Sequence, residues 1–152
     1  MIYKNINKIL TDQFRNKPIL ALDFGNKRFG IAISDVNQII ATPWLNYERQ
    51  NINKDIKKIA DLLIEKKTNL LLLGLPKNLD NSAIITTQQV KSFANILLKE
   101  LNIDIFFWDE RYSSKAAFNV TNNKEFNYQK DDKIAATIIL QTFLDFINTK
   151  KT

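Results

Sequence analysis

Neither cysteine nor histidine occurs anywhere in the 152 residues. The first absence removes disulfides, thiolate nucleophiles and cysteine-based zinc sites together. The second removes imidazole bases, serine–histidine triads and histidine metal ligands. Glycine and proline are scarce at three each, and no linker or internal repeat is evident. No apolar run approaches the roughly 20 residues that span a bilayer. The opening MIYKNINKILTD lacks the apolar stretch of a signal peptide, so no membrane partner is expected. Chemistry must therefore come from carboxylates, Lys, Arg, Tyr, Ser or Thr, and a hard, oxygen-loving ion such as Mg²⁺ or Mn²⁺ is the natural helper.

What is present suits one domain with a real core: 45% of residues are hydrophobic, ten Phe among them. The 22 Lys and Arg against 16 Asp and Glu leave a net charge of +6. That permits a polyanionic partner such as nucleic acid. It does not argue for one alone, because a chain crowded with Lys, Asn and Ile can drift basic by composition.

Along the chain, Met1 to Pro18 read as an arm or a short helix, with Ile6, Ile9, Leu10 and Phe14 at helical spacing. Residues 19–148 read as a single domain. Ile19–Phe24 is apolar on both faces, as in a central strand. Phe29–Ser34 and Gln38–Thr42, the latter closed by Pro43, complete a three-stranded antiparallel meander. Ile56, Ile59, Ala60, Leu63 and Ile64 mark one face of a helix. Leu70–Gly74 reads as a buried strand. Ser82 is expected to cap a second helix, with Val90, Phe93, Ala94, Leu97, Leu98 and Leu101 inward. Ile103–Trp108 forms a fifth strand. Ser113–Phe118 reads as a short helix and Asn119–Lys130 as a loop. A last helix from Asp132 to Phe146 turns Ala135, Ile138, Ile139, Thr142, Phe143 and Phe146 inward. The order β-β-β-α-β-α-β-α predicts an α/β fold: a mixed five-stranded sheet with helices on both faces. Ribonuclease H-like folds have this order, as do nucleotide-binding halves of actin-like proteins.

Three acids sit in odd places. Asp23 lies on a strand that reads as central, where an unpaired carboxylate is costly; a turn residue bonding the Gly25 and Asn26 amides fits equally well. Asp109 and Glu110, with Arg111, end the fifth strand, where ligands gather in open α/β sheets and where a solvated ion pair also fits. Asp132 lies one turn before Ala135 and Ala136, toward the sheet, and helix capping by Asp131 or Asp132 competes there. Converging at one edge, these acids would repel one another unless a divalent cation joins them. Such a cluster suits two-metal phosphodiester hydrolysis.

These residues also resemble a known family. The run Leu22-Asp23-Phe24-Gly25-Asn26-Lys27-Arg28-Phe29-Gly30, continuing to Asp35, is similar to the opening motif of the YqgF/RuvX family. Gly74-Leu75-Pro76 with Asn78 and Asp80, then Asp109-Glu110-Arg111 with Ala116, then Asp132 to Ala136 with Leu140 and Gln141, resemble its later motifs in order and spacing. Asn26 replaces a usual Thr, and Asn81 a common Gly. Members are provisionally described as pre-16S rRNA nucleases and as Holliday-junction resolvase-like.

The resemblance implies a ribonuclease H-like fold, a cytoplasmic bacterial protein and a metal-dependent nuclease in ribosome biogenesis. Asp23, Glu110 and Asp132, with Asp109 beside them, take the proposed catalytic positions, the first three holding Mg²⁺ or Mn²⁺. Lys27, Arg28, Arg111, Lys124, Lys130 and Lys133 border these acids and are candidates to meet phosphate. Pre-rRNA is the expected partner, with branched DNA or a non-catalytic RNA-binding assembly role as alternatives. An actin-like nucleotide-binding module fits less well, because it needs a second half-domain.

Overall fold

Both faces of the strand Leu70–Leu75 are apolar, and this is what sets the layering: Leu71 and Leu73 pack one way, Leu70 and Leu72 the other. A computed structural model describes residues 1–3, 5–76, 81–109 and 131–150. Six strands form one sheet: β1 (Ile2–Tyr3), β2 (Leu20–Phe24), β3 (Arg28–Ser34), β4 (Ala41–Glu48), β5 (Leu70–Leu75) and β6 (Asp104–Asp109). Their spatial order is β1-β6-β5-β2-β3-β4. The pairs β2–β3 and β3–β4 are antiparallel; β2–β5, β5–β6 and β6–β1 are parallel. The expected meander and crossovers are thus present, in a sheet of six strands rather than five. The extra strand is two residues long, and just before it the Met1 ammonium donates to the Ile103 carbonyl at 2.6 Å.

Helices α1 (Ile52–Glu65) and α2 (Asn81–Glu100) cover one face and α3 (Asp132–Thr149) the other. Asn51 caps α1, its side chain accepting from the Lys54 amide at 2.9 Å. Ile64, expected inward, is 74% exposed; the buried stripe runs through Asp55, Ile56, Ile59, Leu62 and Leu63 instead. Ser82 lies inside the first turn of α2, which starts one residue earlier. On α3 the buried stripe is wider than expected and includes Ile134, Ala136, Leu140, Leu144 and Ile147, leaving Ala135, Thr142 and Phe146 half-buried. The segments expected as a helix at Ser113–Phe118 and a loop at Asn119–Lys130 lie outside the described residues.

Pro43 does not end its strand. β4 runs through it to Glu48, with the register shifting between Ile31 and Ala32 on its partner. An edge strand tolerates the missing donor, since one side of it has no ladder to make. The residues before β2 form two 3-10 turns, Ile6–Leu10 and Asp12–Phe14, rather than a helix. Ile9 and Phe14 are buried in the α3-side core. Gln38 locks this arrangement. Held at φ 60 and 3% exposed, it donates from Nε2 to the carbonyls of Phe14 (2.7 Å) and Lys17 (3.0 Å). No helix among the described residues is long and apolar enough to cross a membrane.

Candidate functional site

Strand pleating decides which face Asp23 joins. Ala21 and Ala32 pair across β2–β3 and pack in the α3-side core. Two residues on, Asp23 pairs with Gly30, and opposite residues of an antiparallel pair share a face. Asp23 therefore stands half-buried at the carboxyl end of β2, on the side of α3.

Gly30 lets the helix reach the same spot. A Cβ built there would overlap the Asp132 carbonyl and stand 2.8 Å from the Asp132 Cβ. The first residue of α3 thus rests directly on the sheet, beside Asp23. Asn46, paired with Gly30 on β4, completes the seat. Its Oδ1 accepts from the Lys133 amide at 2.7 Å, and its Nδ2 donates to Asp131 Oδ1 at 3.2 Å. Asp131 is the N-cap of α3, accepting from the Lys133 amide at 3.2 Å. Capping thus falls to Asp131, and the Asp132 carboxylate is left for other partners.

One of those partners is Arg28. Its Nε donates to Asp132 Oδ2 at 3.1 Å, and Nη1 lies 3.7 Å from Glu48 Oε1. Both side chains are partly exposed to solvent, so the pair adds little stability; it sets a guanidinium against the Asp132 carboxylate. Lys27 sits exposed on the turn before Arg28, and the half-buried Lys133 follows Asp132 on α3. Asp109 is placed differently. It ends β6 opposite Leu75, with β5 between it and β2. It shares the pleat of Ile105 and Phe107, which face α1 and α2, while Trp108 faces α3. The structure pairs Arg28 with Asp132 and lays the Asp132 backbone against Gly30, the β3 partner of Asp23; Asp109 ends β6 on the opposite pleat. Glu110, Arg111, Lys124 and Lys130 lie outside the described residues. Among the described residues no group of three or more acidic side chains forms a metal cage.

A second polar constellation was not anticipated from the sequence. Asp55, 1% exposed, accepts from the Tyr47 hydroxyl (2.9 Å), Arg49 Nε (3.1 Å) and the Gln50 amide (3.0 Å). Arg49 also donates from Nη1 to the Gly25 carbonyl at 3.1 Å, and its backbone amide to the Lys27 carbonyl at 2.9 Å. Its guanidinium lies 4.8 and 4.7 Å from the ring centroids of Phe24 and Phe29. Arg49 thus clamps the β2–β3 turn that links Asp23 to Arg28. Burial and the bond to negatively charged Asp55 push the Tyr47 phenol up to about 12, against the opposing charge of Arg49. The available signal was Asp55 itself, an acid four residues before Ile59 on the inward stripe of α1.

The family model described as RuvX, Holliday junction resolvase, matches residues 17–146. The chain belongs to the RuvX family. A protein of Ehrlichia ruminantium (strain Welgevonden), provisionally named a pre-16S rRNA nuclease, is 40% identical over 151 residues, 97% of each chain. One of Fusobacterium nucleatum with the same name is 40% identical over 135 residues, 85% of this chain and 97% of its own. Among solved structures, T. thermophilus RuvC in complex with a Holliday junction substrate superposes with a TM-score of 0.60, covering 88% of this chain and 97% of that one. At 10% identity that match speaks to the fold alone, which is ribonuclease H-like as expected.

Proposed function

We propose that this RuvX-family chain is a divalent-metal-dependent nuclease that acts in the bacterial cytoplasm to process the 5′ end of pre-16S rRNA. The hydrolysis of nucleic-acid phosphodiester bonds follows from the family; the substrate, the processed end and the ion are the finer reading. The observation that supports it is the Gly30 contact, which lays the start of α3 at Asp132 against the strand residue that pairs with Asp23.

The donor set fits a hard cation. Asp23 and Asp132 offer only oxygen, and Mg²⁺ is commonly held by one or two carboxylates together with substrate phosphate oxygens. Glu110 is the proposed third ligand, and Asp109 is retained as its neighbour in the motif. Bound there, the ion would activate water and stabilise the leaving oxygen. The chain's own residues do the rest. Asp23 is fixed by the strand and Asp132 by a capped helix start, so both carboxylates are positioned before substrate arrives. Arg28, held against Asp132, is placed to meet the non-bridging oxygens of a phosphate. Lys27 and Lys133, with Arg111, Lys124 and Lys130 from the sequence, would supply the remaining backbone contacts.

Cleavage of a precursor RNA by wild type and by Asp23→Asn tests this. The variant keeps shape but loses the charge that holds the ion, so it should bind RNA and fail to cut it. A four-way DNA junction in the same assay tests the second reading, which the family's description favours. Binding of precursor RNA without cleavage by either protein would leave the assembly role.

A further inference from the structure

A row of three residues crosses the sheet where α3 begins. Asp23 pairs with Gly30, and Gly30 with Asn46, so all three share the face that α3 covers. Neighbouring backbones in such a row stand about 5 Å apart. Gly30 is the gap in the middle, and the Asp132 backbone fills it. The first turn of α3 therefore lands on the strand that runs between Asp23 and Asn46.

Asn46 grips the residues on either side of Asp132. Its Oδ1 accepts from the Lys133 amide at 2.7 Å, closer than the 3.2 Å at which the same amide meets the local cap, Asp131. Its Nδ2 donates to Asp131 Oδ1 at 3.2 Å. The two bonds fix which way the amide faces, because a flipped one would set its oxygen against the carboxylate and its N–H₂ against the Lys133 amide. They tie down the turn from which the Asp132 carboxylate projects.

The rest of α3 is fastened independently. Gln141 bonds the Ala41 amide and the Ile39 carbonyl, each at 2.9 Å, and Asn148 donates to the Gln38 carbonyl at 2.9 Å. A buried stripe from Ile134 to Ile147 packs the helix on the sheet. Asn46 itself is exposed, where water competes for its bonds and their net worth to stability is small. What it contributes is local: it sets where the first turn stands on β3.

We propose that Asn46 is a positioning residue for the metal site, holding the first turn of α3 so that the Asp132 carboxylate can share a divalent cation with Asp23. The proposal rests on the nuclease reading above and adds to it a residue that does not itself ligate the ion.

Mn²⁺ is the probe. Its binding to RNA-free protein is read from the electron paramagnetic resonance signal of the free aqua ion, well below the Tm of every variant. Asn46→Ala removes both bonds. Asn148→Ala removes a fastening about 24 Å along the helix from Asp132, at 1.5 Å per residue, and is the control for general loosening of α3. Each should lower Tm by only about 2–4 °C. Asn46→Ala should weaken Mn²⁺ binding about tenfold, the scale on which outer hydrogen-bond partners tune metal sites. It should raise the Mn²⁺ concentration that half-saturates cleavage by the same factor. Asn148→Ala should match wild type in both. The salt slope of RNA binding in chelator should be the same for all three proteins, because no charge has been removed.

Wild-type Mn²⁺ affinity in Asn46→Ala would overturn the proposal. Equal weakening by Asn148→Ala would also overturn it, because the effect would then belong to helix docking at large. Asp23→Asn, titrated alongside, separates these failures from failure of the nuclease reading. Weakened Mn²⁺ binding by Asp23→Asn with no effect of Asn46→Ala refutes this inference alone. Unchanged binding by Asp23→Asn, or no Mn²⁺ binding by wild type, removes the shared ion and refutes both.

Discussion

Replacing Gly30 with Ala adds a single methyl group at the point where helix meets sheet. The backbone there is not left-handed, so alanine is conformationally allowed and would even gain a few tenths of a kcal/mol over glycine in a strand. The cost is steric. The new Cβ would overlap the Asp132 carbonyl and lie 2.8 Å from the Asp132 Cβ. Backbone cannot rotate away as a side chain can, so the start of α3 must retreat by on the order of 1 Å. Overpacking of this kind costs about 1–3 kcal/mol, and the backbone contact places it at the upper end, about 2 kcal/mol after the gain. For a chain of this size that is a fall in Tm of about 4–8 °C. Urea unfolding gives the same quantity at constant temperature. Activity should suffer more than stability, because a displacement of about 1 Å in a catalytic group can cost on the order of a hundredfold in rate. A Gly30→Ala protein as stable and as active as wild type would refute the seating of Asp132 on β3.

The Asp55 network yields further expectations. Asp55→Ala strands Arg49 beside three rings and frees the Gly25 turn; losing one partner of a buried pair costs about 3 kcal/mol, and thermal unfolding should show a drop of about 6–12 °C. Removing both charges, Asp55→Leu with Arg49→Met, should cost less than Asp55→Ala alone, read by the same unfolding curves. Tyr47 sets an alkaline limit. Its phenol ionises near 10 when unfolded and near 12 when folded. Its stabilising contribution is complete below pH 10 and lost as pH rises toward 12. Tyrosinate absorbance should show a group titrating near 12 in wild type and not in Tyr47→Phe.

The element order was legible because each segment carries an unambiguous period. The apolar run at Leu70–Leu73 and the spacing of Ile56, Ile59 and Leu63 reflect burial directly. β1 was not legible, since two residues carry no period; its place comes from pairing with β6. Pro43 misled because a sequence does not say which strand lies at an edge. In the site, Asp23 stood out as an acid in an apolar strand. The service of Gly30 as a landing point for α3 was invisible, because it depends on a residue 102 positions away. Asn46 reads as an ordinary strand polar residue until its row across Gly30 is known. Arg49 and Asp55 were missed for a similar reason: a helix acid and a strand-end base look solvated until packing joins them.

On the proposed function, Asp23 and Asp132 jointly hold the ion that drives phosphodiester cleavage. The most direct measurement is the rate of cleavage of a pre-16S 5′ precursor RNA with Mn²⁺, with chelator, and with Asp23→Asn, beside binding of the same RNA. Wild type should cleave only with the ion. Asp23→Asn should lose activity on the order of a thousandfold, because the ion acts on charge that develops in the transition state, with RNA binding retained. Equal cleavage in chelator, or by Asp23→Asn, would contradict it.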